Sequence, residues 1–141
     1  PLRSPSVFNF YRPGYVPPNT SIATAGLVSP EMQITGETSV VGYLNFMRDV
    51  IPNGTGSSRD VKADYTNELA LADTPDKLVD RVNLLLMGNQ MSAALRSQII
   101  AAVSSVAISA TNATSAATAR KNRVNIAIFL TMASPEYIVQ K

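Results

Sequence analysis

Cysteine and histidine are both missing from these 141 residues, and that removes most familiar chemistry. There is no thiolate nucleophile, no imidazole base and no disulfide, and nearly every zinc or redox-metal site loses its ligands. A serine hydrolase would need a base from elsewhere, because no Ser-x-x-Lys occurs either. No catalytic residue and no cofactor is implied. The lack of cysteine suits a reducing or an oxidising compartment equally, since a domain of this size needs no disulfide staple. An excess of one charge is also missing. Twelve basic against ten acidic residues give a net charge of +2, and Arg120, Lys121 and Arg123 are too few, and too far from aromatics, to imply nucleic acid. A spanning helix needs roughly 20 apolar residues. The longest run, Val124 to Ala133, is broken by Asn125 and Thr131, so no membrane span is predicted. The chain opens on Pro1 without a charged-then-apolar leader, and a start at a cleavage or cloning boundary is expected.

What is present is enough apolar material, 45% of residues, for one packed core. Residues 1–34 hold six of the nine prolines and four of the nine aromatics. Proline fixes φ and removes a donor, so this stretch is expected to be an extended arm or a set of turns packing on helices. From Thr35 the pattern changes. Val40, Val41, Tyr43, Leu44, Met47, Val50 and Ile51 recur at helical steps, predicting a helix over 36–51 with Thr35 as N-cap and Pro52 as stop. Asn53 to Ser58 reads as a flexible loop, and Val61, Tyr65 and Leu69 fit one or two helical turns or an extended segment.

Thr74-Pro75-Asp76 signals the next helix start. Its apolar stripe is Leu78, Val79, Val82, Leu85 and Leu86, its left-handed end is Gly88, and Ser92 caps a partner helix carrying Leu95, Ile99, Val103 and Val106. This pair predicts an antiparallel helical hairpin. Low-complexity Ala107 to Ala119 reads as loop in its first half. A last helix is predicted from about Ser115 to Ala133, with Ser134-Pro135 ending it and Tyr137-Ile138-Val139 left as an apolar tail. The expectation is an all-α fold: a small orthogonal or up-down bundle of about four helices over 35–141, with residues 1–34 as its Pro/aromatic-rich arm.

Three stretches are more than generic helix: SPSVFNFYRPGYVPP followed by GLVSPEMQIT, the hairpin TPDKLVDRVNLLLMGNQMS, and the closing LTMASPEYIVQK. Together they resemble the carboxy-terminal part of a bacterial family, domain of unknown function 1800. The matching residues are Phe8, Phe10, Arg12, Pro13, Gly14, Pro30, Glu31, Ile34, Ser134, Pro135, Glu136 and Tyr137. The resemblance implies the last part of a longer helical protein, exported beyond the cytoplasm, with its own upstream part and another exported protein as partners. It carries no activity over.

Two groups of residues carry candidate chemistry. Phe10, Tyr11, Arg12 and Tyr15, with Phe8, could stack on sugar rings or cage a cation. The plainer and preferred reading is that these rings pack on helix faces, with Arg12 tied to Glu31 or Glu136. Asp60, Asp64 and Glu68 lie four residues apart, so a helix there would align three carboxylates for a hard cation or for acid/base work. A solvated face is the preferred reading of these acids, as of Asp80. Gly54 to Ser58 lacks the preceding strand and following Lys of a phosphate cradle and reads as a loop. The leading function is therefore a non-catalytic structural or interaction module that docks its upstream part through an exposed apolar surface. The alternatives are an active-site wall completed by that part and a surface carbohydrate-binding module.

Overall fold

A computed structural model describes residues 12–138, except for the side chains of Glu31 and Ile34. Phe8, Phe10 and Tyr11 therefore lie outside the described residues. The chain is all-α: among those residues the only extended pairing is an isolated antiparallel bridge between Thr55 and Val61. Two compact units divide it, Pro1–Tyr43 and Leu44–Lys141.

In the first unit the proline-rich segment holds two short regular elements that composition alone did not predict. The single-turn α1, Ser21–Thr24, is capped by Thr20, whose hydroxyl accepts from the Ala23 N–H at 3.3 Å and donates to the Pro17 carbonyl at 2.7 Å. A 3-10 helix, Pro30–Ile34, begins on proline, where no N–H is missed. The Ser29 N–H donates to the Tyr15 carbonyl at 2.8 Å and the Arg12 N–H to Gln33 Oε1 at 2.6 Å, so local bonds fold this stretch back on itself.

The division falls within α2, Glu37–Asn53. Its cap is Gly36 rather than Thr35: the Gly36 carbonyl accepts the Val40 N–H at 3.0 Å and Ser39 Oγ accepts the Gly36 N–H at 2.8 Å, while the Thr35 hydroxyl turns back to the Met32 carbonyl at 2.6 Å. Pro52 does not stop this helix, which runs one residue past it. Proline forfeits one bond to residue 48, and both positions are exposed, so the freed carbonyl is not forced into the apolar interior.

The second unit is built around α6, Ala113–Ala133, which packs against α3 (Thr66–Ala70), α4 (Pro75–Met87), α5 (Ala93–Ser104) and α7 (Pro135–Ile138). Leu78, Val79 and Val82 of α4, Ile99 and Val103 of α5, and Val124, Ala127 and Ile128 of α6 form the core, joined by Ile51 from the end of α2. These are the helical spacings that the apolar pattern carries. Each large aliphatic side chain so buried contributes about 1.5–3 kcal/mol. Asn112 starts α6, its Oδ1 accepting the Ser115 N–H at 2.9 Å, two residues earlier than the expected start. Pro135–Ile138 form the single-turn α7 rather than the start of a tail, with the Ser134 hydroxyl accepting the Tyr137 N–H at 3.2 Å, and Val139 lies outside the described residues.

One polar residue fixes the α4–α5 hairpin. Asn83 is buried among core residues, and its backbone carbonyl accepts the N–H groups of Gly88 and Asn89. Its side-chain Oδ1 accepts the buried Met91 N–H at 3.1 Å. Gly88, at φ 56°, supplies the left-handed turn between them. Asn83→Ala leaves the Met91 N–H without its partner, and an unfolding midpoint in urea should fall by the equivalent of about 1–3 kcal/mol. Gln98→Ala on the exposed side of α5 should change it by no more than about 0.5 kcal/mol.

Candidate cleft in the second unit

Charged side chains in this unit are mostly committed to one another or to helix ends. Arg96 grips Asp80 in a two-pronged pair (Nε–Oδ1 2.6 Å, Nη2–Oδ2 2.9 Å), so Asp80 ties α4 to α5 instead of simply facing water. Arg120 holds Asp73 in the same way at 2.8 and 2.9 Å, and Arg59 holds Asp49 at 3.2 and 3.1 Å. Arg123 donates to the carbonyls of Val106 at 2.9 Å and Ala72 at 3.0 Å, closing α6 onto the segments that leave α5 and α3. Helix ends of that kind carry negative dipole charge. Glu136 meets Ser92: its two carboxylate oxygens accept the Ser92 hydroxyl at 2.6 Å and the Ser92 N–H at 2.9 Å. The Ser92 Oγ in turn accepts the Leu95 N–H at 3.2 Å, as a cap should. A carboxylate at a helix start is placed where the dipole favours it.

The same unit holds a cleft of about 570 Å³. Met47, Val50 and Ile51 of α2, Leu85 and Leu86 of α4, and Ile128 and Met132 of α6 form most of its wall, and the segment from Gly54 to Tyr65 borders it. Gly54 sits at φ 79°, and a Cβ there would strike the Lys62 side chain and lie 2.6 Å from the Val61 carbonyl oxygen, so only glycine lets this segment fold back. The Thr55 and Val61 backbones then pair at 2.8 and 3.0 Å. The polar side of the cleft is Asp64, Asn67, Glu68 and Arg81. Glu68 is 6% exposed, and its Oε1 accepts from Arg81 Nε at 3.1 Å. The Tyr65 hydroxyl donates to the Ile51 carbonyl at 3.1 Å, satisfying an oxygen left open near the end of α2. Burial, and then the charge of Glu68, push the Tyr65 phenol above its usual range.

The structure distributes the sequence candidates unevenly. Asp64 and Glu68 both line the cleft, but Asp60 does not, and the three are not aligned on one helix. Asp60 belongs to the turn closed by the Thr55–Val61 bridge. Asp64 precedes α3 and accepts the Thr66 N–H at 2.9 Å and the Thr66 hydroxyl at 2.6 Å, bonds that hold its carboxyl below the usual range. Glu68 points inward to Arg81. Among the described residues no cluster of three or more acids is arranged to hold a metal ion. Arg12 is exposed and Tyr15 half-buried, both in the first unit. Arg81 and Asn83 were not singled out by sequence reasoning. Their only signal was a polar residue on or beside the apolar stripe of α4.

The profile of a family described as "Protein of unknown function (DUF1800)" matches residues 1–139. No curated protein and no solved structure matches the chain.

The arginine pairs make acid stability predictable. Hydrogen bonds from Arg120, Arg96 and Arg59 hold the carboxyls of Asp73, Asp80 and Asp49 below their ordinary range. A carboxyl with a depressed folded-state pKa adds stability that is complete above its unfolded value, about pH 4, and is lost as the pH falls through the lower folded value. Thermal melts should therefore fall below about pH 4, and the double change Asp73→Asn and Asp80→Asn should flatten that acid limb. An unchanged limb would show that the pairs contribute nothing.

Proposed function

This chain belongs to the DUF1800 family, a family of unknown function, and we propose from its geometry that it is a non-catalytic structural and interaction module of a larger exported bacterial protein. One observation carries the reading: the second unit leaves large apolar side chains in water beside an open apolar cleft. Phe46, Val61, Leu84 and Leu85 are each more than half exposed, and Val61 and Leu85 line the cleft. Soluble surfaces leave single apolar residues exposed without consequence, but a group of them beside a cavity marks a contact surface. The docking partner in this reading is the upstream part of the same protein.

The finer architecture belongs to the same proposal. The four longer helices α2, α4, α5 and α6 serve as the bundle of a domain over 35–141, and residues 1–34 serve as its Pro/aromatic arm, of which residues 12–34 hold turns, α1 and the short 3-10 helix.

The absence of cysteine makes a direct test simple. Leu84→Cys and Leu85→Cys should react rapidly with a maleimide in the isolated chain and about an order of magnitude more slowly in the longer protein, where a docked surface excludes water. Gln98→Cys, on the exposed side of α5, should react alike in both. Equal rates at all three positions would refute the docking surface.

A further inference from the structure

We propose that Asn53 is a self-modifying site, held back by the folded end of α2, whose products prevent that end from closing again. Asn53 is followed by Gly54, and a residue without a side chain leaves its backbone nitrogen open to the amide carbon before it. The Gly54 nitrogen gives up its proton and bonds to Asn53 Cγ, the Cγ–Nδ2 bond breaks, and ammonia leaves with that proton. Water then opens either C–N bond of the succinimide ring. The product is aspartate in the original backbone, or isoaspartate with an extra methylene in the backbone.

The folded chain opposes ring closure at each step. The Gly54 N–H donates to the Val50 carbonyl at 2.8 Å, so the attacking nitrogen keeps its proton. That bond requires helical backbone at Asn53, the last residue of α2, and a helical ψ turns the Gly54 nitrogen away from the side chain it must meet. The Asn53 amide is itself tied: Nδ2 donates to Asp49 Oδ1 at 2.9 Å, and Arg59 holds the same carboxylate through both oxygens. The Tyr65 hydroxyl on the Ile51 carbonyl and the Thr55–Val61 bridge fix the turn on either side. Cyclisation waits for this end of the helix to open, and its rate in the folded chain follows the open fraction.

The products cannot restore the starting arrangement. Gly54 is buried, and a Cβ there would already lie 2.6 Å from the Val61 carbonyl oxygen, so isoaspartate lengthens the chain where it folds back most tightly. Aspartate at this position loses the donor to Asp49, sets two carboxylates four residues apart and places negative charge at the negative end of α2. Gly54 and Val61 line the cleft, so conversion loosens its rim. An opening of this end is recorded as a lasting change of a neutral amide into a carboxylate.

The test incubates the intact chain at mildly alkaline pH, in buffer and in guanidinium, and follows the tryptic peptide spanning residues 49–59 by mass and by enzymatic isoaspartyl methylation. Asn53 should convert at least about tenfold more slowly in buffer than in guanidinium. Asp49→Ala removes an exposed partner, and it should speed conversion at least about threefold in buffer while changing nothing in guanidinium. The converted chain, separated by its added negative charge, should exchange the Thr55 and Val61 amide hydrogens at least about tenfold faster than the unconverted one. Equal conversion in buffer and guanidinium, or an Asp49→Ala rate no faster than that of the parent chain, would overturn the protection by the fold. An acceleration in Asp49→Ala that persists in guanidinium would assign it to local sequence and overturn it as well. Unchanged amide exchange in the converted chain would overturn the lasting opening.

Discussion

The second unit depends on one constraint: α6 must bury most of its length between the other helices while still carrying polar residues. It does so with small and β-branched side chains. Ala116, Ala119 and Ala127 let neighbouring backbones approach, and Val124 and Ile128 fill the space beside them. Thr131 is fully buried, and its hydroxyl donates to the Ala127 carbonyl at 2.8 Å, so that its polar group is not left unsatisfied. Removal of α6 would leave α3, α4, α5 and α7 without their common surface.

Charge plays a fastening role around that core. Arginine suits this because its planar fork makes two directed bonds, as on Asp73 and Asp80, or spans two carbonyls, as Arg123 does. The Glu136–Ser92 contact adds a consequence for the family. Ser92 ends one recognisable stretch and Glu136 stands in another, 44 residues apart, and the fold brings them to a single helix cap. A Ser-Pro-Glu ending is then intelligible as a structural clasp: Ser134 starts α7, Pro135 occupies its first position, and Glu136 holds the start of α5.

The exposed apolar rim follows from the same packing. Leu85 lies on the apolar stripe of α4, yet the stripe outlasts the neighbours that cover it: Leu78, Val79 and Val82 meet α6, while Leu85 opens into the cleft at 54% exposure. A periodic pattern states which side of a helix is apolar. It does not state how far along that side the covering helix reaches.

Much of the architecture was legible in order. The all-α class, the α4–α5 hairpin, Gly88 and Ser92 follow from local rules, because 3.6-residue periodicity, a left-handed glycine and a serine cap act within a few residues of chain. Local rules failed where two segments compete for one group. Thr35 bonded backwards and left the cap to Gly36, Pro52 was tolerated at a solvent-facing last turn, and of the acids read as a solvated face Glu68 instead turned inward to Arg81. The cleft, the pairing of Glu68 with Arg81 and the clasp of Glu136 on Ser92 join residues distant in sequence. The amino-acid order thus determined which segments are helical and which sides are apolar, since those depend on neighbours along the chain. Only tertiary structure decided which charges are consumed in pairs and which apolar side chains remain uncovered, because both depend on which helices meet and where they stop meeting.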